Sequence, residues 1–159
     1  MVESPVGLLT LVGAAGSLTA LYFPEHRHGP DALSFGARDD SAFESAAEQL
    51  TQYFEGHRTV FDLALAPHGN AFQQRVWALL QTIPFGETRS YGALAAELGD
   101  LRLARAVGAA NARNPLSIVV PCHRVVGSDG KLTGYAGGLA RKAFLLGLES
   151  RAPRLDALF

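Results

Sequence analysis

The stretch SYGALAAELGDLRLARAVGAANARNP, residues 90–115, carries the clearest fold signal in the chain. Ser90 precedes a run of helix formers that Gly99 stops, and Asp100 opens a second run that ends at Arg113-Asn114-Pro115. Serine and aspartate accept backbone N–H bonds at helix starts, glycine suits helix ends, and the residue before a proline is pushed out of helix. The spacing predicts one helix over 91–98 and another from Leu101 to about Ala112, joined by a tight Gly-Asp turn, which makes a helix-turn-helix. In the second helix small residues surround one long side chain, Ala104-Arg105-Ala106-Val107-Gly108. Such a helix offers only Arg102 and Arg105 in its first half, too few to read base edges in a major groove. It suits close, sequence-independent contact with a minor groove, Arg105 acting as a wedge in the base stack. A plain Ala/Gly packing interface with Arg105 solvated at its edge accounts for the same pattern.

Working outward, Ala71 to Thr82 carries Phe72, Val76, Leu79/Leu80 and Ile83 at helical spacing before Pro84-Phe85-Gly86 ends it. Ala66-Pro67-His68-Gly69-Asn70 breaks both periodicities and reads as a linker. Upstream of it, residues 6–12 and 17–23 read as a hairpin about Gly13-Ala14-Ala15-Gly16. Its period-two faces are Leu8, Thr10, Val12 and Leu18, Ala20, Tyr22. Residues 24–40 read as a loop. Ser41 is positioned to cap a helix to about Phe54, with Phe43, Ala47, Leu50 and Tyr53/Phe54 on its stripe and Gly56 as its stop, and Thr59 to Leu63 reads as a strand. Downstream, Ile118 to Val120 reads as extended, and Gly138 to Leu148 as a last helix with Leu139, Ala143 and Leu146 facing inward. The fold class expected is α+β. A small strand-and-helix domain over 1–66 and a linker over 67–70 precede a mainly helical domain over 71–159.

The 159 residues are 48% hydrophobic and 18% charged, which suits one sizeable globular domain or two small ones. Val6 to Phe23 lacks charge, but Glu3 replaces a basic leader and two glycines interrupt the run, so no membrane segment is expected. A single cysteine makes no intramolecular disulfide, which favours a reducing, cytoplasmic setting. Residues 1–100 hold 5 basic against 12 acidic residues, whereas 101–159 hold 9 against 3. That asymmetry suggests a polyanion partner for the C-terminal part.

The cysteine lies in Ile118-Val119-Val120-Pro121-Cys122-His123-Arg124-Val125-Val126-Gly127. A thiol reacts as the thiolate, which basic neighbours favour, yet free cysteine is also among the most buried residue types. Contact with His123 requires the chain to turn at Pro121, because neighbours on a strand point to opposite faces. A carboxylate would then orient the imidazole, with Glu149 and Asp129 as candidates, Asp129 reading equally as a turn residue. Gly134-Tyr135-Ala136-Gly137-Gly138 is a glycine-rich loop entering a helix, without nucleotide-loop spacing, and Tyr135 there reads as an acid, a donor or a wall. His26, His28, His57 and His68 fall in loops without companion ligands, so a zinc site is not expected.

Taken together, Val76-Trp77, Ile83-Pro84-Phe85-Gly86-Glu87-Thr88, Ser90-Tyr91, Ala104-Arg105-Ala106-Val107-Gly108, Asn114-Pro115, Pro121-Cys122-His123-Arg124-Val125 and the Tyr-x-Gly-Gly loop resemble the O6-alkylguanine-DNA alkyltransferases. The resemblance implies a ribonuclease-H-like N-terminal domain without catalytic residues. It also implies irreversible, single-turnover transfer of an alkyl group from O6-alkylguanine in duplex DNA to Cys122, with O4-alkylthymine an open second lesion. On this resemblance His123, through a water and backed by Glu149, takes the thiol proton, and Asn114 holds the active-site turn. Tyr135 donates to the guanine ring, and Val125 and the backbone near Ala136 line the base pocket. Arg105 fills the gap left by the flipped nucleotide, Tyr91 meets the target phosphate, and Ala104, Ala106 and Gly108 let the helix into the minor groove. It implies a monomer, no cofactor and no metal, since the zinc-binding cysteines of some members are absent. A non-catalytic lesion-binding module and a cysteine hydrolase are the competing classes. Ser117 stands where some members have proline, which bears on the alkyl groups accepted.

Overall fold

A two-residue reversal at Ala15-Gly16, both with positive φ (52° and 83°), joins β1 (Thr10–Ala14) to β2 (Ser17–Tyr22). Positive φ at both central residues matches the right-handed strand twist that a tight hairpin needs. A computed structural model describes residues 1–26, Pro30 and residues 35–151; residues 27–29 and 31–34 of the expected 24–40 loop, His28 among them, and the last eight residues lie outside the described set. β1 begins later than its sequence suggests, and its inward face is the opposite one. Leu9 and Leu11 are buried, whereas Leu8 is exposed and Thr10 and Val12 are half-buried. Gly7 turns the chain with φ of 109°, and Leu9 exchanges both backbone bonds with Val2 at 2.7 and 2.8 Å, fixing the parity of the strand. A one-residue shift inverts every side chain on a strand. On β2, Leu18 and Ala20 are buried as expected, with Leu21 added and Tyr22 half-buried.

α1 (Glu44–Phe54) follows a single 3-10 turn at Asp40–Phe43. Ser41 does not cap α1: Asp39 caps the 3-10 turn, accepting from the Ser41 N–H and hydroxyl, and α1 itself starts from Phe43 without a side-chain cap. Ala46, Gln49, Leu50 and Tyr53 form its buried face. The strand expected at Thr59 to Leu63 is absent. The Gln49 side-chain amide takes both backbone groups of Asp62, donating to its carbonyl at 2.9 Å and accepting from its N–H at 2.8 Å. The segment thus pairs with a side chain, and only a bridge between Leu18 and Leu65 joins it to the sheet.

Asn70 and Gln73 form a reciprocal capping box that starts α2 (Ala71–Leu80). β3 (Arg89–Ser90) leads into α3 (Tyr91–Glu97), capped by Ser90, and Gly99 at φ of 100° ends it. Asp100 caps a 3-10 turn that runs into α4 (Ala104–Ala112), so the helix-turn-helix is present with a tightened first turn. β4 (Val125–Val126) pairs in parallel with β3, and α5 (Leu139–Arg151) closes the described chain.

Two expectations fail in the C-terminal part. Ile118 to Val120 is not a strand: Ile118 sits at φ of 72°, and the Val120 N–H donates to the Leu116 carbonyl at 2.8 Å, which makes a tight turn. The Asn114 amide spans that turn, donating to the Val120 carbonyl and accepting from the Leu116 N–H. On α5 the inward face is Lys142, Leu145 and Glu149, while Leu139 and Ala143 are exposed and Leu146 is half-buried. Buried ionic and hydrogen-bonding partners, invisible to an apolar-stripe reading, set the rotation of this helix.

One apolar cluster runs through both halves, from Leu9, Leu21, Leu50 and Tyr53 to Trp77, Leu94, Val107, Leu116 and Leu145. The Leu21 N–H donates to the Pro115 carbonyl at 2.8 Å, so the N-terminal hairpin braces the turn that precedes Cys122. No described helix is long and apolar enough to cross a membrane. Removing the Gln49 amide should cost about 1 kcal/mol, the net worth of partly buried hydrogen bonds whose backbone partners at Asp62 can turn to water. Urea unfolding of Gln49→Ala measures it, and an unchanged midpoint would show that the Asp62 segment finds other partners.

Candidate active site

Pro121 ends the Asn114-spanned turn, and Cys122–Arg124 then form a single buried 3-10 turn. The thiol and the imidazole of adjacent residues thus lie on a 3-10 turn and not on a strand. From α4, the Asn111 side chain donates to the Cys122 carbonyl at 3.4 Å. Burial pushes the Cys122 thiol above its ordinary pKa, opposed chiefly by the polar side chain of Asn114 and the positive charge of Lys142. At neutral pH the resting sulfur is therefore a thiol that must lose its proton as it reacts.

Glu149 holds the imidazole next to the thiol in sequence. His123 Nε2 lies 2.8 Å from Glu149 Oε2, with both side chains essentially inaccessible. Burial pushes His123 below its usual pKa, against the pull of Glu149, so the ring is neutral. An ionised carboxylate only accepts, so the single ring proton sits on Nε2 and Nδ1 keeps a lone pair. That Nδ1 is buried with no hydrogen-bond partner among the described residues. Arg124 donates to both oxygens of Glu149 at 2.9 Å and to the Ile83 carbonyl at 2.7 Å. Tyr53 of α1 donates to Glu149 Oε2 at 2.7 Å. Burial opposes ionisation of Glu149, but the hydrogen bonds from His123 and Arg124 outweigh it and bring its pKa to about 2. Of the two candidate carboxylates, then, Glu149 orients His123. Asp129 is an exposed turn residue that accepts from the Lys131 N–H.

Tyr135 stands over the same site. Its hydroxyl and that of Ser117 are buried without partners among the described residues. Burial and the neighbouring Cys122 push the Tyr135 pKa well above its ordinary value, so it stays a donor at any physiological pH. Its ring meets Phe23 of the N-terminal part, centroids 5.8 Å apart. Gly137 is required there, because a Cβ would lie 2.5 Å from the Phe23 ring. Lys142 donates to the Val125 carbonyl at 2.6 Å and the Thr133 carbonyl at 3.1 Å, tying β4 to the glycine-rich loop. Val125 is fully buried and Ala136 half-buried.

The expected groove-facing residues lie on the outer side of the helix-turn-helix. Arg105 and Ala106 are exposed, and Ala104 and Gly108 are half-buried. Arg105 has no ion-pair or hydrogen-bond partner among the described residues, whereas Arg102 is held by its own cap, Asp100, at 3.0 Å. Tyr91 lies across Gly108, 3.8 Å from a Cβ built there, and its hydroxyl is 2.6 Å from that of Thr133. Asn111, which touches Cys122, is six residues along α4 from Arg105, roughly 9 Å at the helical rise. Sequence reasoning missed Tyr53, Lys142 and Asn111. The signal for Lys142 was its i, i+3, i+7 spacing with Leu145 and Glu149, legible once Glu149 is taken as inward.

Known proteins resemble this chain over both of its parts. Residues 71–151 match the DNA-binding domain of 6-O-methylguanine DNA methyltransferase, and residues 1–67 match its ribonuclease-like domain. The methylated-DNA–protein-cysteine methyltransferase of Mycolicibacterium paratuberculosis is 53% identical over 150 residues, covering 94% of this chain and 90% of the relative. That of Methanosarcina acetivorans is 46% identical over 147 residues, covering 92% and 94%. The crystal structure of Mycobacterium tuberculosis OGT in complex with DNA superimposes with a TM-score of 0.90 at 52% identity, covering 96% of this chain and 93% of that one. A Methanococcus jannaschii O6-methylguanine DNA methyltransferase does so at 0.67 and 28% identity, covering 92% and 90%. The chain belongs to the 6-O-methylguanine DNA methyltransferase family. Its activity is that of the family, direct repair of DNA by transfer of an alkyl group to a cysteine of the protein itself.

The Glu149 carboxylate links stability to pH. Its folded pKa is depressed from 4.5 to about 2, so its contribution is full above pH 4.5 and is lost as pH falls toward 2. Across that window the protein should lose on the order of 3 kcal/mol more than a Glu149→Gln variant does. Urea unfolding of both at a series of acid pH values measures this, and parallel losses would mean that Glu149 is not held as an ion.

Proposed function

We propose that Cys122 is the alkyl acceptor and that O6-alkylguanine, flipped out of duplex DNA, is the substrate. The observation that carries this reading is the buried Cys122–His123–Glu149 arrangement, with its vacant Nδ1 acceptor on a neutral imidazole. His123, oriented by Glu149, takes the thiol proton through a bridging water. The sulfur–carbon bond forms as the carbon–O6 bond breaks, and the bonding pair stays on guanine. Tyr135 donates its hydroxyl proton toward the guanine ring as charge develops there, and the proton lost by the thiol is finally balanced on the released base. Asn114 keeps the turn in place, and Val125 and Ala136 line the pocket. The thioether is inert and the chain has no second cysteine to restore it, so each molecule reacts once. The reaction calls on no metal and no cofactor.

Extruding a base costs a few kcal/mol of stacking and pairing. The exposed, unpaired Arg105 supports a role in filling the gap, and small side chains at Ala104, Ala106 and Gly108 support close approach of α4 to the minor groove. Tyr91, beside them, meets the target phosphate. We infer that contact is largely independent of sequence and that the protein acts as a monomer in the cytoplasm, where its thiol stays reduced. We also infer a division into an N-terminal unit over 1–66, a linker over 67–70 and a DNA-binding and acceptor unit over 71–159.

Single-turnover repair of a duplex carrying one O6-methylguanine tests this reading. The wild type should transfer one methyl to the Cys122 peptide, and Cys122→Ser should transfer none. Arg105→Ala should slow duplex repair by about 10²-fold, the loss of a contact worth nearly 3 kcal/mol, while alkylation by free O6-benzylguanine proceeds at the wild-type rate. Equal slowing of both reactions would remove Arg105 from DNA handling. Repair without alkylation of Cys122 would overturn the acceptor assignment.

A further inference from the structure

The N-terminal part reaches the reaction centre at one polar atom. Tyr53, on the last turn of α1, is fully buried, and its hydroxyl donates to Glu149 Oε2, the same oxygen that binds His123 Nε2. The ring is fixed on three sides by Phe54, Phe61 and Phe85, at centroid distances of 5.2, 5.4 and 6.1 Å. Phe85 in turn lies under the Arg124 guanidinium at 5.8 Å. The hydroxyl therefore has one target and little freedom to leave it. Where packing alone is needed, a phenylalanine fills the space without burying a hydroxyl that must then be satisfied.

We propose that Tyr53 is a positioning residue for alkyl transfer, acting through Glu149 to hold the His123 ring in the tautomer and orientation that leave Nδ1 free. The inference rests on the proposed roles of Cys122, His123 and Glu149. It gives the N-terminal unit a part in the chemistry without making it touch substrate, and it adds a fourth hydrogen bond to the three that His123 and Arg124 make to the carboxylate. Tyr53 also modulates the charge that His123 feels. Its donation withdraws electron density from Oε2, which weakens the hold of Glu149 on an imidazolium. The charged groups facing this pair are Arg124, from the turn that carries His123, and Lys142 of α5, and both disfavour a charged ring. Loss of the hydroxyl leaves Glu149 a stronger partner for imidazolium, so His123 protonates at higher pH and the free Nδ1 is lost sooner on acidification.

The test is the pH profile of single-turnover alkyl transfer by Tyr53→Phe, which keeps the ring and removes only the hydroxyl. Transfer at the plateau should be about three- to tenfold slower, and the acid limb should move up by roughly half a pH unit, with DNA affinity at wild-type strength. In a Glu149→Gln background the same substitution should cause no further change, because its route to His123 is gone. A Tyr53→Phe profile that superimposes on wild type, or equal fold-losses in the two backgrounds, would overturn the inference while leaving Cys122 as acceptor. Wild-type protein that repairs the duplex without alkylating Cys122 would instead overturn the reading on which the inference stands.

Discussion

A single buried carboxylate organises this molecule. Glu149 sits on the last helix and accepts from Tyr53 on α1 and from His123 and Arg124 in the turn that carries the thiol. An ionised group at that depth is tolerable only when hydrogen bonds replace the water it has lost. Satisfying it requires all three elements to converge, and their convergence is the active site. Burial keeps His123 neutral against the pull of Glu149, and the bond to that carboxylate fixes its one ring proton on Nε2. Fold stability and chemical readiness therefore depend on the same atoms.

The resting site is poised without being reactive. Burial raises the thiol's pKa, lowers that of the imidazole and keeps Tyr135 protonated. A permanently ionised Cys122 would be open to any electrophile small enough to enter. On the proposed mechanism, a thiol that surrenders its proton only when an alkylated base occupies the pocket spends its single turnover on the lesion. The hydroxyls of Ser117 and Tyr135, buried without partners among the described residues, are the polar groups that the base in the proposed reaction would satisfy. α4 links the surface to the site: its Arg105 and Ala106 are exposed, and its Asn111 holds the Cys122 backbone.

Much of this was legible in the residues. The helix-turn-helix followed from two caps and one glycine because those signals act locally, and Cys122, His123 and Tyr135 could be singled out by composition and spacing. What failed had non-local causes. The Ile-Val-Val run has strand chemistry, yet Asn114 and the flanking prolines bend it into a turn with Ile118 at positive φ. The Thr59 to Leu63 segment has strand chemistry too, but the Gln49 amide takes its backbone bonds. α5 was rotated wrongly because an apolar stripe is a poor guide where Lys142 and Glu149 are buried by hydrogen bonding. Tyr53 stayed hidden for the same reason: on α1 it reads as one more core aromatic, and its partner lies 96 residues away.

The account stands on the protonation state of one imidazole. Nitrogen NMR of histidine-labelled protein at neutral pH, with the His123 signals assigned by their loss in His123→Gln, reports it directly. A neutral ring protonated at Nε2, with Nδ1 carrying a lone pair, is the result this structure predicts. A charged imidazolium, or a proton on Nδ1, would contradict it, because His123 could not then accept the proton of Cys122.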